Sequence, residues 1–165
     1  MSAQPFDDPR ITAMGLFSEV HSGLTARFAA QWDEHGLSPV EFEVLMRLAR
    51  SPGHWLRMTD LAAQTSLSTS GVTRVVDRME RDGMVTRRAC PSDRRSFHAV
   101  LTQAGLTRIT ATLPGHLELI EQWFTGQLTA EQLEALLTAL RRIRDAVNPG
   151  ATAGTAQPVP AVPHS

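Results

Sequence analysis

The stretch from Leu67 to Gly105, "LSTSGVTRVVDRMERDGMVTRRACPSDRRSFHAVLTQAG", decides the fold of this chain. It opens with Ser68, Thr69 and Ser70, residues that favour a helix start, and helical periodicity then runs to Gly83, the glycine expected just past a helix end. At about 100° of rotation per residue, Val72, Val75, Val76 and Met79 share one arc, and Ser70, Arg74, Arg78 and Arg81 share the opposite one. A helix from about Thr69 to Asp82 thus has one face for a core and one arginine face for solvent or a polyanion. Two strand-like runs follow, Met84 to Cys90 and Phe97 to Thr102, joined by the loop "PSDRR" at Pro91 to Arg95, which makes a β-hairpin.

Upstream, Met58 to Leu67 reads as a short helix capped by Thr59. Two helices, a Ser/Thr-rich turn between them and a hairpin after them form the winged helix-turn-helix pattern. Further out, Met14, Phe17, Val20, Leu24, Phe28 and Trp32 recur at helical spacing, so Ile11 to Glu34 is a helix stopped by Gly36. Ser38-Pro39-Val40-Glu41 is a capping box, and its helix runs to about Arg50, where "SPGH" ends it. Downstream, Thr102 caps a helical stretch to about Leu128, with Pro114 as an expected kink. Thr129 and Gln132 form a second capping box, followed by Leu133, Leu136, Leu137, Leu140, Ile143 and Val147 along one face.

The expected architecture is therefore mostly α with a small β-hairpin wing. The winged helix-turn-helix unit spans about 38–102, flanked by terminal helices at about 11–35 and 103–147. A loose lead-in covers 1–10, and a Pro/Ala-rich tail of 148–165 is expected to be disordered because its composition cannot bury a core. The continuous apolar faces of the terminal helices fit either an intramolecular bundle or interleaving with a second copy. A unit this small has too little other surface to cover them all, which favours a homodimer.

Composition removes several classes of function. The chain has 165 residues, 42% hydrophobic and 20% charged, as in ordinary soluble domains. No apolar run approaches the ~18 residues that span a bilayer, and "MSAQPFDDPR" lacks the apolar centre of a secretory signal. A cytoplasmic location with no membrane partner is expected. Cys90 is the sole cysteine, and His21, His35, His54, His98 and His116 show no i, i+4 pairing, so neither a metal nor a cofactor is expected. No Gly-rich phosphate loop, G-x-S-x-G or H-E-x-x-H is present, so an enzyme is not expected. All sixteen basic residues are arginines and the chain is net −1, yet their distribution is uneven. Between Ser68 and His98, Arg74, Arg78, Arg81, Arg87, Arg88, Arg94 and Arg95 face only Asp77, Glu80, Asp82 and Asp93, a local excess of +3. Such a stripe binds phosphates whatever the charge of the whole. Arginine also reads guanine edges in a major groove, and the hydroxyls of Ser68, Thr69 and Ser70 at a helix N-terminus suit phosphate oxygens.

The residues from Leu67 to Gly105 closely resemble the signature region of MarR-family transcriptional regulators. The resemblance lies in the S-x-V-T-R-x-V-D-R-x-E-x-x-G-like helix, the D-R-R wing tip and the L-T-x-x-G that opens the next helix; "LSPVEFEVLMRLA" resembles the family's preceding helix. It spans roughly Phe17 to Val147 and implies a winged-helix homodimer on a pseudo-palindromic double-stranded DNA operator, usually a repressor released by a small ligand. Carried to matching positions, it gives Arg95 as the arginine entering the minor groove, with Asp93 orienting it by an ion pair and Arg94 sharing the role. Ser70, Thr73, Arg74 and Arg78 become recognition-helix contacts, beside Ser68 and Thr69. Asp93 capping the turn, and Arg78 or Arg81 pairing along their own helix with Asp77, Glu80 or Asp82, are the competing structural roles.

The family's effector pocket commonly lies between the terminal helices and the winged-helix lobe. His21, Arg27, Trp32, His35, His54 and Trp55 are the residues that would line it here, an aromatic and cationic set suited to a small aromatic or carboxylate-bearing effector. Two other readings stay open. Cys90, near Arg87, Arg88 and Arg94, would make a redox-responsive regulator, and a winged helix without a switch would make an architectural DNA-binding protein.

Overall fold

Every helix expected from its end signals is present in the computed structural model, which describes residues 5–90 and 93–152. Helix α1 (Pro9–Glu34) starts at a proline because Asp8 caps it, accepting the Arg10 amide at 2.9 Å. Helix α2 (Pro39–Arg50) has its capping box in full: Ser38 Oγ accepts the Glu41 amide at 3.3 Å, and the Glu41 carboxylate accepts the Ser38 amide at 2.8 Å. Helix α3 (Met58–Thr65) departs from expectation. Its cap position is held by Arg57, whose side chain makes no cap hydrogen bond, and Thr59 lies inside the first turn. Helix α4 (Thr69–Arg81) is capped by Ser68, which accepts the Gly71 amide at 3.1 Å.

Helix α5 (Gln103–Trp123) stops short of the expected Leu128. Phe124 leaves helical geometry and a 3-10 turn at Thr125–Gln127 leads into the Thr129–Gln132 capping box of α6 (Ala130–Val147). Pro114 lies within α5 on its exposed side. The expected tail also begins with a folded piece. Pro149–Thr152 form a 3-10 turn, Asn148 Nδ2 donates to Ser66 Oγ at 3.0 Å, and Ala151 is buried. The rest of the two expected tails, 1–4 and 153–165, lies outside the described residues.

The wing is a three-stranded antiparallel sheet in the order β1 (Trp55–Arg57), β3 (Asp93–Leu101), β2 (Val85–Cys90). Sequence periodicity gave only the hairpin, because three residues are too few to show alternation. The second strand also starts at Asp93 rather than Phe97. Its register passes from Ala89 opposite Phe97 to Cys90 opposite Asp93, so 94–96 project from the ladder as a bulge.

Val72, Val76 and Met79 of α4 close over Val44, Leu45 and Leu48 of α2, Leu61 of α3 and Leu56 and Ala99 of the sheet, all within one buried cluster. That core includes the arc read from the sequence, with Val75 packed at its edge. The L-T-x-x-G segment ties α5 to it: Thr102 Oγ1 donates to the Gly83 carbonyl at 2.6 Å and accepts the Gly105 amide at 3.0 Å. A Cβ at Gly105 would overlap the Met84 carbonyl oxygen, whereas at Gly23 of α1 nothing lies within 4 Å. Denaturant unfolding of Gly105→Ala should accordingly show a loss of about 3 kcal/mol. Gly23→Ala should gain up to ~1 kcal/mol, since it only removes backbone freedom from the unfolded chain.

Candidate nucleic-acid interface

The outward side of α4 carries Ser68, Thr69, Ser70, Thr73, Arg74 and Arg78, all exposed, opposite the buried valines. Arg74 Nε donates to the Ser70 carbonyl at 3.3 Å, which holds the side chain along the helix toward its N-terminus. Thr73 Oγ1 donates to the Thr69 carbonyl at 2.8 Å, leaving its oxygen able to accept. Arg78 corrects the pairing expected along its own helix. Its Nε donates to Glu41 Oε1 at 2.6 Å, across to α2. Glu41 is buried, and burial pushes its carboxyl up; the Ser38 amide and hydroxyl with the Arg78 guanidinium outweigh that and hold it below its ordinary value.

The wing is fastened to the same helix. Arg87 of β2 reaches Asp77 Oδ1 at 2.5 Å and Glu80 Oε2 at 3.3 Å, and its Nη2 donates to the Thr73 carbonyl at 3.1 Å. Its own amide donates to Glu80 Oε1 at 2.9 Å. Sequence reading placed Arg87 in the charge excess and beside Cys90, not against α4. Strand alternation held the missing signal, since Arg87 shares the core side of the sheet with Val85 and so turns toward α4.

At the wing tip, Asp93 does not aim the Arg95 side chain by an ion pair. Its carboxylate accepts the Ser96 hydroxyl at 2.6 Å and the Arg95 amide at 2.9 Å, and these two bonds hold its pKa below the usual carboxylate range. Asp93 shapes the backbone of the bulge, and the bulge presents Arg95 to solvent. Pro91, Ser92 and the Arg94 side chain lie outside the described residues. Cys90 is buried at the foot of the tip, 6% exposed.

The fold that carries this helix face and wing has counterparts among known proteins. The MarR family model matches residues 35–96. The regulator YkoM of Bacillus subtilis (strain 168), an uncharacterised HTH-type transcriptional regulator, is 33% identical over 77% of this chain and 80% of its own. AbsC, a MarR family transcriptional regulator from Streptomyces coelicolor, superposes with a TM-score of 0.80 at 32% identity, covering 88% of this chain and 98% of its own. The chain belongs to the MarR family. Sco3205, a MarR family regulator of the same organism solved in complex with DNA, matches with a TM-score of 0.79 at 29% identity over 90% of this chain and 94% of its own. These relatives are transcriptional regulators, and Sco3205 among them is a DNA-bound one. No helix among the described residues is long and apolar enough to cross a membrane.

The MarR fold here forms an open cavity of about 1380 Å³ between α1, α2, α5 and α6. Of the six residues expected to line it, His21 and Trp32 do so. Arg27 instead lies 4.0 Å over the Trp123 ring, and His35 lines a separate surface cavity beside Arg108. His54 accompanies Gly53 in left-handed geometry at the turn out of α2, which carries Trp55 to the wing sheet, where it stacks on His98 at 4.2 Å. Residues unforeseen from sequence take their places: Phe28, Phe42 and His116 around Trp32, and Arg47, Arg50, Arg141 and Arg144. Trp32 Nε1 and His116 Nδ1 are buried without a hydrogen-bond partner, and burial lowers the His116 pKa.

The Glu41 cluster sets a stability test. A carboxylate held below its ordinary value of 4.5 stabilises the fold above that value, and the contribution disappears as pH falls through the lowered one. Glu41→Gln should cost about 1–2 kcal/mol at pH 7 in urea unfolding and show a shallower loss on acidification below 4.5. Arg78→Ala should lose about 1 kcal/mol, while Arg74→Ala stays within ~0.5 kcal/mol of the parent.

Proposed function

We propose that this MarR-family protein is a homodimeric repressor that grips a pseudo-palindromic operator through α4 and the wing and releases it when a small aromatic anion enters the cavity. The observation that carries the reading is the exposed arginine face of α4 and the Arg95-bearing bulge, both fastened to one core by Glu41–Arg78 and Arg87–Asp77/Glu80. In this reading Ser68, Thr69, Ser70, Thr73 and Arg74 meet phosphates and base edges in a major groove, and Arg78 adds its exposed terminal nitrogens. Arg95 enters the adjacent minor groove, with Arg94 beside it in sequence and Asp93 setting the bulge.

Assembly is supported by apolar surface that a single chain leaves in water. Ile11, Met14, Phe17 and Val20 on the first half of α1 are each at least half exposed, as is Ile143 on α6, and α6 buries no residue at all. Exposed apolar area of this kind is costly and marks an interface. For the effector, aromatic walls, four arginines and two partnerless ring nitrogens suit a flat ligand with a carboxylate and a hydrogen-bonding substituent. The burial of Cys90 favours this switch over a redox one, because an oxidant has poor access to a thiol shielded from solvent.

Light scattering should give twice the chain mass, and Phe17→Glu with Val20→Glu should halve it. In titrations on an operator selected from random duplexes, Arg74→Ala should cost roughly 1–3 kcal/mol and relax preference at one position per half-site. Arg95→Ala should weaken all duplexes alike. A repressor reading fails if the folded parent selects no sequence.

Aromatic carboxylates should raise the thermal midpoint and weaken operator binding together, since linkage is reciprocal. Arg141→Ala and His116→Gln should blunt both effects while sparing ligand-free DNA binding. A ligand that stabilises the protein without moving the operator isotherm would refute the switch.

A further inference from the structure

The solvent face of the wing sheet carries a row that the interface above does not use. Arg57 of β1 and Arg88 of β2 lie on either side of His98 of β3, each directly opposite it in the ladder, so the three side chains share one face. Leu56, buried at 2%, confirms that the core lies on the other side. Both arginines are exposed, and neither makes an ion pair among the described residues, unlike Arg78 and Arg87. Trp55 completes the face by stacking on His98, which holds the row's centre in place.

Arg57 is also a poor choice for its own neighbourhood. It occupies the N-cap of α3, where Ser, Thr, Asp or Asn would satisfy a helix amide and where a cation opposes the helix dipole. A cation at an N-cap that makes no ion pair among the described residues is the kind of local inconsistency that accompanies function. The row lies close to the tip. Arg88 is two residues from Cys90, about 7 Å along a strand, and the charge of Arg57 is felt at the Asp93 carboxylate in the bulge. A minor groove is only about 6 Å wide. With Arg95 in the groove, a row about 7 Å behind the foot of the tip lies within an arginine's reach of the phosphates that border that groove.

We infer that Arg57 and Arg88 form a phosphate clamp that holds the DNA backbone on the flank of the operator, outside the bases that α4 and the wing tip address. The inference rests on the operator-binding reading above. It extends the footprint of each protomer outward and contributes affinity without sequence information.

Full-length parent and Arg57→Ala/Arg88→Ala are titrated against the selected operator over a range of salt, on a long duplex and on one truncated at the wing-contacted minor groove. On the long duplex the double variant should lower the salt slope by about 3–4 units for two protomers, close to 0.9 per phosphate released. On the truncated duplex parent and variant should coincide, and Arg57→Lys/Arg88→Lys should keep the parent slope on both. Circular dichroism and the unchanged truncated-duplex isotherm show that the variant is folded. Equal slopes on the long duplex overturn the clamp while leaving the regulator reading intact. Unchanged DNA titrations with loss of poly-glutamate binding assign the face to an acidic protein instead. A parent that selects no operator overturns both readings.

Discussion

The carboxylate of Glu41 has two oxygens, and the molecule assigns each to a different task. Oε2 takes the amide and hydroxyl of Ser38, which starts α2, and Oε1 takes Arg78, which ties α4 to it. A buried carboxylate is expensive unless all its lone pairs are occupied. Here that requirement ties the beginning of one helix to the position of another: withdraw Arg78 and Glu41 is under-satisfied, withdraw Ser38 and the anchor for Arg78 loosens. The placement of α4 relative to the core therefore depends on polar complementarity as well as on the apolar contacts of Val72, Val76 and Met79. Arg87 repeats the device on the other side, joining the wing to the same helix.

The two devices differ in how visible they are along the chain. Helix ends were legible because caps are local: Ser38 with Glu41, Ser68 with Gly71, and Thr129 with Gln132 each lie within one turn. The core face of α4 was legible for the same reason, since periodicity is a short-range property. The Glu41–Arg78 pair was not, because 37 positions separate its members and nothing local distinguishes an arginine that reaches inward from one that reaches out. Strand β1 escaped for want of length, and its Arg57 cap defied the propensity rule that led to Thr59.

The ligand-lining set shows the limit most plainly. His54 and Trp55 follow α2 directly, yet two consecutive left-handed residues turn the chain away from the cavity and onto the sheet. Arg27 sits on α1 between lining residues but one helical face away, over Trp123. The aromatic floor is made by residues from three helices, Phe28 and Trp32, Phe42 and His116, whose meeting is a fact of tertiary packing. Resemblance located the region of the cavity, while only coordinates assign its walls.

The short turn after α6 links the cavity wall to the helix-turn-helix. Arg141 and Arg144 line one side of it, and a few residues later Asn148 is bonded to Ser66, with Ala151 seated beside α3. Ser66 is the left-handed residue at which the chain leaves α3 to begin the approach to α4. Helix α6 therefore ends beside a hydrogen bond to the turn between the two helices of the helix-turn-helix, while none of its own residues is buried in this chain. The cavity wall that holds Arg141 and Arg144 is thus joined, within a few residues of chain, to the residue from which the approach to α4 begins.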